Sequence, residues 1–143
     1  MERYTTGFLR ASLLWLVAGV SSGVAMAVHP AWAWYRTAHL HMLLLGFVTM
    51  MIAGVAYHVI PRFAATPLYS ARLARAHLLL ANVGVIAMAT GFIWRLHAPT
   101  TGGLILGVGA TASASGAYLL AWNLWRTLDR AVLPFTRITA RPS

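Results

Sequence analysis

The chain is expected to fold as an all-α integral membrane protein, a four-helix bundle with both termini cytoplasmic. Three features of the sequence predict this: a scarcity of charge, four apolar runs of spanning length, and a lopsided distribution of arginine. Of 143 residues, 59% are apolar and only 9% are charged, whereas an ordinary soluble domain has about a quarter of its residues charged. The two acids are Glu2 and Asp129. Lysine is absent, so eleven arginines carry the positive charge.

Each span is delimited by apolar length, about 20 residues being needed to cross a bilayer. The first is expected over residues 8–28, ending at His29-Pro30. The second covers residues 37–60 and is stopped by Pro61, which can neither donate a backbone hydrogen bond nor continue the turn comfortably. The third covers residues 71–96, closed by Pro99, and the fourth residues 103–128. No small-residue cleavage site leads from the first span into a soluble domain, so it reads as a retained helix. Short connections make neighbouring helices antiparallel. One transmembrane domain over residues 1–143 is expected, with no room for a separate extramembrane domain.

Arginine placement sets the expected orientation. Arg3, Arg10, Arg62, Arg72, Arg75, Arg126, Arg130, Arg137 and Arg141 fall on one side, and Arg36 and Arg95 on the other. Positive residues collect on the cytoplasmic side, which puts both termini and the middle loop there. Trp32, Trp34, Tyr35 and Trp94 then anchor the outer interface, and Trp122 and Trp125 the inner one. A multi-pass membrane protein follows, with lipid as its surroundings.

Several function classes drop out. Basic composition can signal nucleic acid, but here the arginines are divided by apolar runs too long for a soluble fold. Absence of cysteine removes disulfides, thiolate metal sites and thiol nucleophiles. Ser21, Ser22, Ser113 and Ser115 read as small packing residues rather than hydrolase nucleophiles, and no glycine-rich phosphate loop is present. The fourth run carries Gly102, Gly103, Gly107, Gly109, Ala112, Ser113 and Gly116. Small residues three or four apart let helices approach closely in lipid, so this run supplies a packing face, within the bundle or between protomers.

Six histidines remain to be explained, because polar side chains inside a membrane mark functional sites by default. His29 and His97 flank prolines at the outer interface, where a hydrated imidazole costs little. His58 and His77 fall at similar depth near the inner end and could share a ligand, or simply reach toward the headgroups. His39 and His41 sit within the second span. Two residues apart on a helix they point about 200° from each other, so one helix cannot aim both at a single metal. It can offer one ligand to each of two sites or partners. The His39 side continues through Leu43, Gly46, Met50 and Gly54, whose glycines would open space for a flat macrocycle. The His41 side continues through Leu45, Val48, Ile52 and Val55, an apolar wall. Imidazole is the usual axial ligand of b-type heme, and Arg36, one turn outward, could meet heme propionates.

The segments Ala38-His39-Leu40-His41, Leu45-Gly46-Phe47-Val48 and Tyr57-His58-Val59-Ile60-Pro61 resemble the heme-ligand helix of heme-copper oxidase catalytic subunits. The likeness continues through Leu68-Tyr69-Ser70, Leu73, His77 and Leu80-Ala81-Asn82-Val83-Gly84. It covers roughly residues 36 to 92, and it looks closest to the cbb-type cytochrome oxidases and, more distantly, to the nitric oxide reductases. The resemblance implies His39 as ligand of a high-spin heme b and His41 as ligand of a low-spin one. It also marks departures: the family's subunits have twelve helices, and nothing here matches their copper ligands or active-site tyrosine. Neither acid lies within a span to deliver protons. One chain is therefore not expected to be a self-sufficient terminal oxidase, and copper is not supported. Because the family's subunit is built as three four-helix units, a homo-oligomer could rebuild part of it, with heme between protomers.

Three functional readings follow. The first is a heme-b protein working in electron transfer, with a redox partner protein, or in binding or reduction of oxygen or nitric oxide. The second is a non-catalytic accessory or assembly subunit of a respiratory membrane complex. The third, a metal or proton path through His39, His41, His58 and His77, is opposed by geometry. Residues 39 and 58 lie about 29 Å apart along a helix.

Overall fold

The computed structural model describes residues 2–139, with side chains through residue 131. The Arg137 side chain and all of Arg141 lie outside the described residues. Four helices, each long and apolar enough to cross a membrane, make up the fold, and no strand occurs among the described residues. They are α1 (Arg3–Val28), α2 (Pro30–Phe63), α3 (Ala71–Trp94) and α4 (Pro99–Thr139).

Three of the helices overrun the apolar stretches that announce them, while α3 stops at Trp94, two residues short. α1 starts five residues before Phe8, and α4 runs well past Leu128. Hydropathy marks where a helix meets hydrocarbon, whereas helical hydrogen bonding continues into the polar interface. Two prolines also differ from expectation. Pro61 lies inside the last turn of α2, which ends at Phe63; the chain then turns through Ala65 in a left-handed conformation, φ 47°. Pro99 opens α4 rather than closing α3, which ends at Trp94. A first-turn position needs no backbone N–H, which suits proline.

α2 is not a uniform helix. A 3-10 segment over Pro30–Tyr35 leads into α-helix Arg36–His41, then a π-helical stretch Met42–Thr49, then α-helix Met50–Phe63. The wider π turn leaves backbone carbonyls with altered partners, and the Thr49 hydroxyl donates to Leu44 O at 2.7 Å. Such insertions concentrate at functional sites, and this one begins directly after His41.

α3 and α4 pack through glycine. A Cβ on Gly109 would lie 2.6 Å from the Met88 amide nitrogen, and one on Gly91 2.6 Å from that of Leu106. Gly103 and Gly107 face away, with nothing within 4 Å of such a carbon. The small residues of α4 thus divide into an inner stripe against α3 and an outer stripe along an open groove with Leu80, Thr111 and Ala112.

The core gathers toward the arginine-rich end, from Tyr4 and Phe8 of α1, Met50, Ala53 and Tyr57 of α2, and Ala74 and Val85 of α3. Two buried polar residues of α4 tie down the middle loop. Asn123 accepts from the Ser70 amide at 3.0 Å and donates to Ser70 O at 2.9 Å. Thr127 accepts from the Tyr69 amide at 2.9 Å. Ser70 in turn caps α3, its hydroxyl accepting from the Leu73 amide at 3.3 Å. This arrangement holds the α2–α3 connection against the foot of α4.

Candidate functional site

His39 and His41 diverge, as their spacing requires. His39 points at α1, where its Nδ1 lies 2.9 Å from Gly19 O and 3.1 Å from the Ser22 hydroxyl. Ser22 itself donates to Gly19 O at 2.7 Å. A carbonyl can only accept, so His39 Nδ1 carries a proton, and in the neutral ring the lone pair is on Nε2. Gly23 makes this approach possible, since a Cβ there would come within 3.0 Å of His39 Cε1.

His41 reaches the same protonation pattern by another route. Its Nδ1 donates to Thr37 O, one turn back, at 2.8 Å. The ring then packs against Phe92 of α3, centroids 4.7 Å apart. Both imidazoles are therefore oriented by a backbone carbonyl with Nε2 available, the arrangement found behind metal-bound histidines.

The other histidines are held differently. Arg62 Nη1 lies 2.7 Å from His58 Nδ1 and donates to His58 O at 2.7 Å. A guanidinium only donates, so His58 Nδ1 accepts and its proton sits on Nε2. His77 is buried, 3% exposed, with Nδ1 3.1 Å from the Tyr57 hydroxyl and its ring 4.7 Å from that of Phe8. His58 and His77, for which the sequence leaves open both a shared ligand and a simple reach toward the headgroups, thus have separate partners. Among the described residues no three His, Asp or Glu side chains converge. His29 stacks on Trp32 at 4.9 Å, exposed at the opposite end from the core.

Beside His39 an open groove of about 390 Å³ runs between α1 and α2, lined by Gly23, Met26, Ala27, Ala33, Arg36 and Leu40. Its walls are apolar apart from the imidazole and the exposed Arg36 guanidinium. The space expected next to Gly46 and Gly54 is filled. A Cβ on Gly46 would lie 2.5 Å from Trp15 Cγ, and one on Gly54 3.1 Å from Leu9 Cδ2 and Phe8 Cβ. Those glycines admit α1 side chains rather than a macrocycle, and Trp15 Nε1 continues across to Asn82 Oδ1 at 3.2 Å. Open space lies further out, in the groove along Met26, Ala27, Ala33 and Arg36.

Gly19, Ser22 and Gly23 have no counterpart in the sequence reading, where Ser22 was a packing residue. A glycine pair four apart on the helix preceding a histidine span was the available signal. The buried Tyr57–His77 pair was equally hidden, since nothing in the spacing links residues on successive helices.

No protein-family profile matches the chain. It is similar to the Cbb3-type cytochrome c oxidase subunit CcoN1 of Stutzerimonas stutzeri, at 26% identity covering 68% of this chain and 26% of that one. It is also similar to cytochrome c oxidase subunit 1 of Rhodobacter capsulatus, at 28% identity covering 67% of this chain and 23% of the relative. The chain therefore spans about a quarter of the length of the curated relatives it matches.

Proposed function

We propose that this chain is a heme-b-binding redox protein of the bacterial inner membrane, with both termini cytoplasmic and with His39 and His41 as axial ligands. The observation that carries the proposal is the tethering of both Nδ1 atoms to backbone carbonyls, which leaves two Nε2 lone pairs on opposite sides of one helix. The similarity to two oxidase subunits, both named as cytochrome c oxidases, supports a related membrane redox role.

The residues fit the group by donor chemistry and by space. An open groove along Met26, Ala27 and Arg36 runs beside the His39 imidazole, where the Arg36 guanidinium can hold carboxylates by charge-assisted hydrogen bonds. Gly19 O and Ser22 orient His39 and increase the basicity of its Nε2. Thr37 O does the same for His41, whose ring rests on Phe92. Heme b, when bound, supplies one-electron chemistry and, with an open axial position, a place for oxygen or nitric oxide. Following the resemblance, His39 serves the high-spin heme and His41 the low-spin heme.

Because the two ligands face apart, each second helix can serve two neighbours, and a homo-oligomer places heme between protomers, with a redox partner protein exchanging electrons. Native mass spectrometry checks this: a strict monomer that retains heme removes the oligomer from the proposal. A second reading, an accessory or assembly subunit of a respiratory complex, is favoured by the outer face of α4, where Gly103 and Gly107 line an open groove. Heme content of purified variants separates the two. His39→Ala and His41→Ala each lower heme per chain, while His58→Ala leaves it unchanged. Equal heme in all three variants and the wild type would overturn the ligand assignment.

A further inference from the structure

The arginine-rich end of α4 carries a feature that the redox reading does not use. Tyr118, Trp122 and Trp125 recur at helical spacing on one face and are 75%, 56% and 68% exposed. With Ala121 they line an open groove of about 380 Å³. Below it stand two arginines held in place by aromatic rings. The Arg126 guanidinium carbon lies 5.6 Å from the Trp122 ring centroid and 5.5 Å from that of Tyr69, and Arg130 lies 4.4 Å from Tyr69. Tyr69 belongs to the α2–α3 connection, whose backbone is fixed to α4 by Thr127 and Asn123. The arginines are thus ordered on a rigid platform rather than trailing freely into water.

We infer that this groove and its paired arginines form a binding site for one anionic phospholipid. An acyl chain lies along Tyr118, Trp122 and Trp125, and the phosphate sits against Arg126 and Arg130. Aromatic side chains suit the boundary between chain and headgroup, and basic pockets at this depth attract anionic headgroups. Asp129, with Oδ2 3.8 Å from Arg126 Nη1, offsets one of the two charges, and Arg130 remains stacked on Tyr69. Charge complementarity selects the occupant. A second copy seated isologously on this face would bring the same arginines toward each other, whereas an anionic lipid neutralises them.

The test is native mass spectrometry of protein released from nanodiscs holding equal phosphatidylglycerol and phosphatidylcholine with identical acyl chains. The wild type retains phosphatidylglycerol in preference. Removing both charges (Arg126→Gln with Arg130→Gln) cuts that preference by up to about 25-fold, at about five-fold per arginine near an anionic surface. Arg3→Gln with Arg10→Gln, which removes as many charges from α1, leaves it in place. Asp129→Asn raises the preference several-fold, and this variant decides the matter should the double arginine variant fail to fold. Trp122→Ala with Trp125→Ala weakens retention of both lipids. Equal retention of the two lipids by the wild type overturns the inference, as does an Asp129→Asn preference identical to wild type. Displacement of the lipid by millimolar inorganic phosphate would make the site one for a free anion. A lipid-free dimer would give the groove to a second copy.

Discussion

Gly107 and Gly109 stand two residues apart in α4, and alanine at the two positions should move stability in opposite directions. A Cβ on Gly109 would meet the Met88 amide nitrogen at 2.6 Å, Ala87 Cβ at 2.9 Å and Gly84 O at 2.9 Å. Two of these atoms are backbone, so no rotamer change relieves the clash, and α3 and α4 must separate. Overpacking of this kind costs about 1–3 kcal/mol. Alanine recovers roughly 0.5–1 kcal/mol of helix propensity over glycine, which leaves Gly109→Ala up to about 2.5 kcal/mol less stable. Gly107 has nothing within 4 Å, so Gly107→Ala keeps only the propensity gain and becomes about 0.5–1 kcal/mol more stable. The assay is unfolding of the purified protein in mixed detergent micelles by titrated SDS, followed by far-ultraviolet circular dichroism. Shifts of the same sign and size in both variants would refute the division of α4 into an inner and an outer stripe. A Gly107→Ala variant that dissociates an oligomer without loss of helicity would place a protomer contact on the outer groove.

Asn123→Ala should cost about 2 kcal/mol, because it removes both partners of the half-buried Ser70 N–H and C=O, at about 1 kcal/mol per hydrogen bond lost; the same SDS titration reads it. Tyr57→Phe removes the hydroxyl that meets His77 Nδ1 and should cost about 1 kcal/mol, yet leave heme content unaltered; heme loss in this variant would bring His77 into the ligand set. Ser22→Ala keeps Gly19 O as acceptor for His39, so its heme content should match wild type, whereas a large loss would mean that the hydroxyl rather than the carbonyl orients the ring. Gly23→Leu should push the His39 ring off Gly19 O, since a Cβ there already meets His39 Cε1 at 3.0 Å, and so lower heme content while the helical circular dichroism signal stays unchanged.

Sequence alone carried the number and rough placement of the helices, because burial in hydrocarbon demands long uninterrupted apolar runs and the arginines punctuate them. It could not carry helix ends, since the turns over Arg3–Gly7 and beyond Leu128 are helical without being apolar. Pro61 and Pro99 were misread for a related reason. A proline disfavours the residue before it in a helix but is tolerated in a terminal turn, so its sign depends on which side of a boundary it occupies. The divergence of His39 and His41 followed from their spacing, and it holds although a π-helical stretch begins at Met42. What each imidazole touches was not legible. Gly19 and Ser22 come from another helix, and only their meeting with His39 shows where the ring proton lies. The glycines at 46 and 54 show the limit of pattern reading most plainly. A glycine in a helix signals close approach by something, and here the visitors are Trp15, Phe8 and Leu9.

The most direct test of the central claim is the absorption spectrum of the detergent-purified protein, oxidised and dithionite-reduced, before and after carbon monoxide. Heme held by His39 and His41 predicts a Soret band with sharp α and β bands on reduction, diminished in His39→Ala and in His41→Ala. A Soret shift on adding carbon monoxide would identify an iron with an open or displaceable position and point to gas chemistry; an unchanged spectrum would point to bis-histidine electron transfer and contradict the high-spin assignment of His39. A colourless protein that also fails to take up added heme would contradict the account and leave the accessory-subunit reading.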